Sequence, residues 1–200
     1  MKTRYQSTAE LTLLALLTAL LIVLGYVNIP QPAGLSITFN MIPVAIAAIA
    51  MGVKGGAIIG SAFGIISFLQ CFGIAGHSAM GATLVNVSWA LTFIHRYVSR
   101  LIVGILTALI FKGLKKKLNI HITCVLTGFS AALLNTVFFM SMLVLLFANT
   151  AYMQEQMAGQ SVIAYLVASI GMNAIVEMIV AAAVTGAVGV ALKRARLIKT

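Results

Sequence analysis

Apolar residues run along this chain in long blocks, interrupted by short clusters of glycine, proline, lysine and arginine. The first block covers about residues 9–27 and is preceded by Lys2 and Arg4. Its length and flanks predict a retained membrane span, not a cleaved leader. In the connection at 28–38, Pro30 and Pro32 stand so close that helix is forbidden, and Gly34 follows them. A short second block covers about 39–51. Gly52, Lys54 and Gly55 then predict a turn before a third block at about 56–72. Residues 73–99 break the pattern. Gly73, Gly76, His77, Ser78, Gly81, Asn86, Trp89, His95 and Arg96 make the stretch too polar to face lipid throughout. It is expected to be a long structured loop with a short helix at about 83–93. The fourth, fifth and sixth blocks cover about 100–114, 121–148 and 161–192, with a loop at 149–160 containing Glu155. A helix needs about 20 apolar residues to cross a bilayer. The blocks therefore predict an all-α integral membrane protein, a six-transmembrane-helix bundle with structured extracellular loops, occupying residues 1–200 as one transmembrane domain.

Composition agrees: 62% of residues are hydrophobic and 8% charged, against roughly 25% charged in a soluble domain. Such a chain cannot cover a water-facing surface, and in lipid every backbone polar group must be paired internally. The net charge of +10 would suit nucleic acid, but its distribution excludes that partner. Of the 13 basic residues, all but Arg96 and Arg100 fall on one side of the predicted map: the N-terminal flank, Lys54, the group from Lys112 to Lys117, and the tail from Lys193 to Lys199. By the positive-inside rule this places both termini in the cytoplasm and the loops after the first, third and fifth spans outside. Those outer loops are the longer ones, which suits a cover over an outward-facing pocket.

Gly56, Gly60 and Gly64 recur every four residues, as do Ala181, Thr185 and Gly189. Small residues at this spacing let helix backbones approach closely, so both stripes are expected to pack inside the bundle. Ala15 and Ala19 form a similar pair on the first span. Spacing alone leaves open whether that pair packs internally or docks another membrane protein.

Polar side chains at membrane depth are costly unless paired, so each is a functional candidate. Asn135 and Thr136 lie mid-way along the fifth span, Asn173 and Glu177 share a face of the sixth, and Gln70 closes the third. Glu177 suits either an ion-coupling carboxylate or a helix–helix hydrogen bond, or a contact with an amide such as Asn135. From the helical rise it is expected deep, about 24 Å along its span, with Asn173 one turn shallower. Arg100, placed at the outer end of the fourth span, either snorkels to the headgroups or pairs with a ligand carboxylate through its planar fork. Trp89 and Phe93 either anchor at the interface or cover a ligand. Cys71 and Cys124 fall in apolar surroundings with no redox or zinc spacing, and the three histidines form no metal-ligand pattern. No phosphate-binding Gly-Lys loop, protease motif or other catalytic constellation is present. No cofactor or metal is expected, and the chain cannot hydrolyse ATP alone.

With these features in hand, the chain resembles the substrate-binding subunits (S components) of energy-coupling-factor (ECF) vitamin transporters. The likeness rests on the six spans, the basic tail, the pair Ala15 and Ala19, and the stretch ITFNMIPVAIAAIAMGVKGGAIIGSAFGIISF over residues 37–68. Within that family it is most similar to the pantothenate-specific subunits, through RLIVGILTALIFKGL at 100–114, LLNTVFF at 133–139 and GMNAIVEMI at 171–179. One departure is Ser99, where such relatives usually carry proline before the arginine. The resemblance implies a non-enzymatic subunit of a prokaryotic plasma membrane. It would capture a water-soluble vitamin outside the cell and hand it to a transmembrane coupling subunit and a pair of ATPase subunits. It implies docking through Ala15 and Ala19, and ligand contacts from Arg100 and Asn135. The polar inventory adds Asn173, Gln70 and Asn86 as donors, Trp89 as a cover and Glu177 as a further candidate. The alternatives are an S component for a different vitamin, or a stand-alone secondary transporter or channel.

Overall fold

The computed structural model describes residues 4–27, 29–30, 36–157, 159–195 and 197–198; the side chains of 4–7, 29–30, 36, 162–163 and 165–173 lie outside that description. Lys2, Pro32, Gly34, Arg196 and Lys199 are therefore outside the described residues. Among the described residues the regular structure is helical apart from one two-residue ladder. In order it forms α1 (Arg4–Tyr26), β1 (Ile29–Pro30), β2 (Ser36–Ile37), α2 (Met41–Leu69), a 3-10 turn (Gln70–Phe72), α3 (Ala79–Val87), α4 (Trp89–Leu114), α5 (Ile120–Phe147), α6 (Ala151–Met157) and α7 (Val162–Arg194). β1 and β2 pair antiparallel, Ile29 opposite Ile37.

Helix starts follow side-chain capping. Ser78, Ser88, Asn119 and Ser161 stand just before α3, α4, α5 and α7, and each accepts a hydrogen bond from a first-turn N–H. Threonines inside the helices donate to the carbonyl four residues back, as Thr92, Thr127 and Thr136 do. That habit satisfies a hydroxyl where no water is available.

Five helical segments among the described residues are long and apolar enough to cross a membrane, not six, because the second and third expected spans belong to one element, α2. Gly52 divides it, with φ of 67° that only glycine adopts readily. The chain folds back there: a Cβ on Gly55 would lie 2.6 Å from the Ala47 carbonyl oxygen. The first limb, residues 41–51, is about 16 Å long, well short of the hydrocarbon core of about 30 Å. Every residue from Met41 to Ala50 is buried. A segment apolar on all sides belongs in the middle of a bundle, and α2 packs against α1, α4, α5 and α7.

The second limb of α2 runs antiparallel to α4 along the glycine stripe. Gly56 meets the Gly104 backbone, a Cβ on Gly60 would lie 2.7 Å from the Arg100 carbonyl oxygen, and one on Gly64 would lie 2.9 Å from Tyr97 Cα. α5 and α7 pair in the same way, Gly128 against Ala181 and Thr185, and Gly189 against Cys124. Both stripes pack internally, as expected from their spacing. Ala15 and Ala19 differ: both are exposed on α1, while Leu17 and Leu21 of the same helix are buried. At one end of the bundle, the cap end, α3 and α6 cover α5. Met80 and Leu84 of α3, Met153 of α6, and Met140, Leu143 and Phe147 of α5 form a second buried cluster. The opposite end carries Lys54, Lys112 and Lys115–Lys117.

Candidate functional site

The stretch 73–99, expected to be a structured loop with one short helix at about 83–93, instead holds α3 and, over residues 89–99, the first three turns of α4. The polarity that argued against a span faces inward. Thr92, His95, Arg96, Ser99 and Arg100 are all buried, and their spacing of three and four residues puts them on one helix face. Arg100 consequently does not stand at a helix end, and it does not snorkel. Its guanidinium carbon lies 4.4 Å from the ring centroid of Phe139 on α5 and 5.2 Å from that of Phe63 on α2. Nη1 donates to Ser99 Oγ at 2.9 Å, while Nε has no partner. The Ser99 hydroxyl donates in turn to the His95 carbonyl oxygen. Ser99 thus links the arginine to the backbone of its own helix.

One turn nearer the cap end, Arg96 reaches the other way. Nη1 donates to Ser67 Oγ at 3.3 Å and Nη2 to Ser78 Oγ at 2.9 Å, and the guanidinium carbon lies 5.3 Å from the Phe139 ring. Its Nε is also unpartnered. His95 Nε2 lies 3.1 Å from the Phe139 carbonyl oxygen, which can only accept, so that nitrogen carries the proton. Nδ1 is buried without a partner.

Asn135 stands one turn from Phe139 toward the lysine end, half-buried, with its Oδ1 unpartnered. The α5–α7 register brings Glu177 to its level, since Gly128 meets Thr185 and two turns toward the cap end from each stand Asn135 and Glu177. Glu177 Oε1 accepts the Thr38 backbone N–H at 2.7 Å. Glu177 is about 22 Å into α7, so the chain after β2 descends well into the bundle before α2 begins at Met41. The carboxylate expected to be deep and remote is met by the incoming loop. Asn40, next to that contact, is 1% exposed with an unpartnered Oδ1.

The structure therefore gathers Arg100, Asn135 and Glu177 around the middle of the bundle, with Asn40, Phe63, His95, Arg96, Ser99 and Phe139, which sequence reasoning did not select. The signal for the α4 group was present as polar residues at helical spacing in 92–100. Nothing in the sequence singled out Asn40 or the two phenylalanines. Gln70 plays a local part, its Nε2 donating to the Ala75 carbonyl oxygen at 3.1 Å, with the Gly25 carbonyl oxygen at 3.5 Å. That ties the end of α1 to the segment before α3. Asn86 is exposed, and Trp89 is 69% exposed at the start of α4. Asn173 lies on α7 one turn before Glu177, with its side chain outside the described residues. Cys71 and Cys124 are free and buried.

A buried guanidinium without an acid partner is expensive in a medium with no water. Two such groups, the orphaned polar atoms His95 Nδ1, Asn135 Oδ1 and Asn40 Oδ1 besides their own Nε atoms, and the two aromatic faces of Phe63 and Phe139 describe a site able to receive a small anion with an apolar body. Compared with known families, residues 9–189 match the model described as ECF transporter, substrate-specific component. A search of curated proteins found no match.

Proposed function

Because the chain belongs to the family of ECF transporter substrate-specific components, a multi-pass membrane subunit that is not an enzyme and that associates with the coupling and ATPase subunits of an ECF module, we propose that it captures pantothenate outside a prokaryotic cell for ATP-dependent uptake. The observation that carries the ligand reading is Arg100, buried among helices with no acid bonded to it and held against Phe63 and Phe139. Its fork would take the carboxylate in two parallel hydrogen bonds. Asn135, with its free oxygen, would take a hydroxyl or the amide N–H, and Asn173 would offer a second amide one turn from Glu177. The phenylalanine rings, and not the exposed Trp89, would pack against the gem-dimethyl group.

In this reading residues 1–200 form one transmembrane domain. The chain crosses six times, counting the limbs of α2 separately and completing the second crossing with the descending loop. Both termini are cytoplasmic, the cap end faces outward, and Ala15 and Ala19 dock the coupling subunit. The experiment is calorimetry on the detergent-purified subunit with pantothenate and pantothenol. Pantothenate should bind and pantothenol, which has an alcohol in place of the carboxylate, should bind at least tenfold more weakly. Equal binding removes the arginine assignment. Binding of neither, with another vitamin bound tightly, removes pantothenate and leaves the family in place.

A further inference from the structure

Among the described residues the buried charged side chains are Arg96, Arg100 and Glu177. The segments whose side chains lie outside the description near the cap end, 28–36 and 162–173, contain no Lys, Arg, Asp or Glu. The only other acids in the chain, Glu10 and Glu155, are on α1 and α6. His95, on the same helix face as both arginines, directs its Nε2–H at the Phe139 carbonyl oxygen, and its Nδ1 has no hydrogen-bond partner, so the ring is counted as uncharged. With both guanidinium groups protonated and the Glu177 carboxyl ionised, two positive charges and one negative charge share the interior, and no ion pair joins them among the described residues. The serine hydroxyls that accept from Arg96 and Arg100 contribute no charge.

Building on the capture function proposed above, we infer that Arg96 and Glu177 set the charge of the ligand: the site accepts a monoanion, because one negative charge brings the occupied interior to neutrality. Both arginines lie over the same Phe139 ring, so each is felt at the position a carboxylate would take on Arg100. A neutral ligand leaves one positive charge uncompensated in a low-dielectric interior. A dianion leaves one negative charge, and a cation leaves two positive charges. Each residual charge carries a desolvation cost that the matched ligand avoids. Arg96 acts here as a specificity residue through its charge, and Glu177 through its opposition to that charge. Its hydrogen bond from Thr38 is a separate, local function that an amide also serves.

The test begins with a vitamin panel spanning charge: thiamine as cation, riboflavin as neutral, pantothenate, biotin and nicotinate as monoanions, and folate as dianion. The tightest binder by calorimetry should be a monoanion. Biotin or nicotinate in first place would remove pantothenate while supporting this inference. A cation, a neutral compound or a dianion in first place, or no binder at all, overturns it. The best ligand is then compared with its neutral amide or alcohol and with a derivative carrying a second carboxylate. Arg96→Gln should lower the preference for the monoanion over the neutral form by about tenfold to a hundredfold. Arg96→Lys, which keeps the charge and loses the fork, should leave it near the wild-type value. Glu177→Gln, which retains an oxygen for the Thr38 N–H, should raise the dianion-to-monoanion affinity ratio by a similar factor. Preferences within twofold of wild type in both Gln variants would assign Arg96 and Glu177 to packing alone.

Discussion

Arg100 on α4 and Phe139 on α5 hold each other in a cation–π contact, the guanidinium carbon 4.4 Å from the ring centroid. The contact faces a cation with the negative face of a ring where lipid-facing surroundings offer nothing comparable, at about 0.5–2 kcal/mol. It also leaves the guanidinium edge available, because a ring face does not compete for N–H donors. A desolvated charge-assisted hydrogen bond contributes about 1.5–3 kcal/mol. Arg100→Ala should therefore weaken pantothenate binding by roughly 10- to 150-fold, and Arg100→Lys should recover only part of the loss. Phe139→Leu should weaken it less than Arg100→Ala. Calorimetry on the purified subunits checks the order, and an Arg100→Ala protein that binds as wild type would remove Arg100 from the site.

The crossing of α2 and α4 at Gly56 and Gly104 predicts a packing defect distinct from any binding defect. A Cβ on either glycine would run into the other's backbone, and backbone cannot swing aside as a side-chain tip can. Gly56→Val should destabilise the fold by about 1–3 kcal/mol through forced separation of the helices. Gly113→Ala on the same α4, where no atom lies within 4 Å of the added Cβ, should leave the melting temperature unchanged. Thermal unfolding in detergent compares the two.

Ala15 and Ala19 are exposed on α1 beside the exposed Leu11 and Leu16. Replacing both alanines with leucine fills a surface across which a partner helix would otherwise approach. ATP-driven uptake in cells with the coupling module should be lost, while ligand binding by the isolated subunit should persist. Loss of binding with an assembled transporter would place the pair's role inside the subunit.

Orientation is open to chemical labelling. In a background with Cys71 and Cys124 replaced by serine, Ile74→Cys lies in the exposed segment after the 3-10 turn and Lys116→Cys lies beyond α4. An impermeant thiol reagent added to whole cells should label the first and spare the second. The opposite pattern would invert the map.

The sequence by itself determined that the chain is built of long apolar helices suited to lipid, which small-residue stripes pack, and that the chain turns at Gly52. Those properties depend on local composition and periodicity: apolar length, glycine at a turn, and the recurrence of small residues. Much of the buried polar cluster was not legible in this way. Polarity at 89–99 resembles a loop when averaged along the chain and becomes one inward face only when α4 packs against α2 and α5. That packing moves Arg100 from a helix end to the bundle interior and carries Arg96 with it. Phe63 and Phe139 look like any lipid-facing aromatic until neighbouring helices turn them toward the arginines. The same holds for Glu177. Its depth along α7 follows from counting residues, but its partner, Thr38, lies 139 residues away. No local rule brings a descending loop to meet it. Tertiary structure decided these contacts because burying a charge or an amide becomes tolerable only through partners supplied by distant segments.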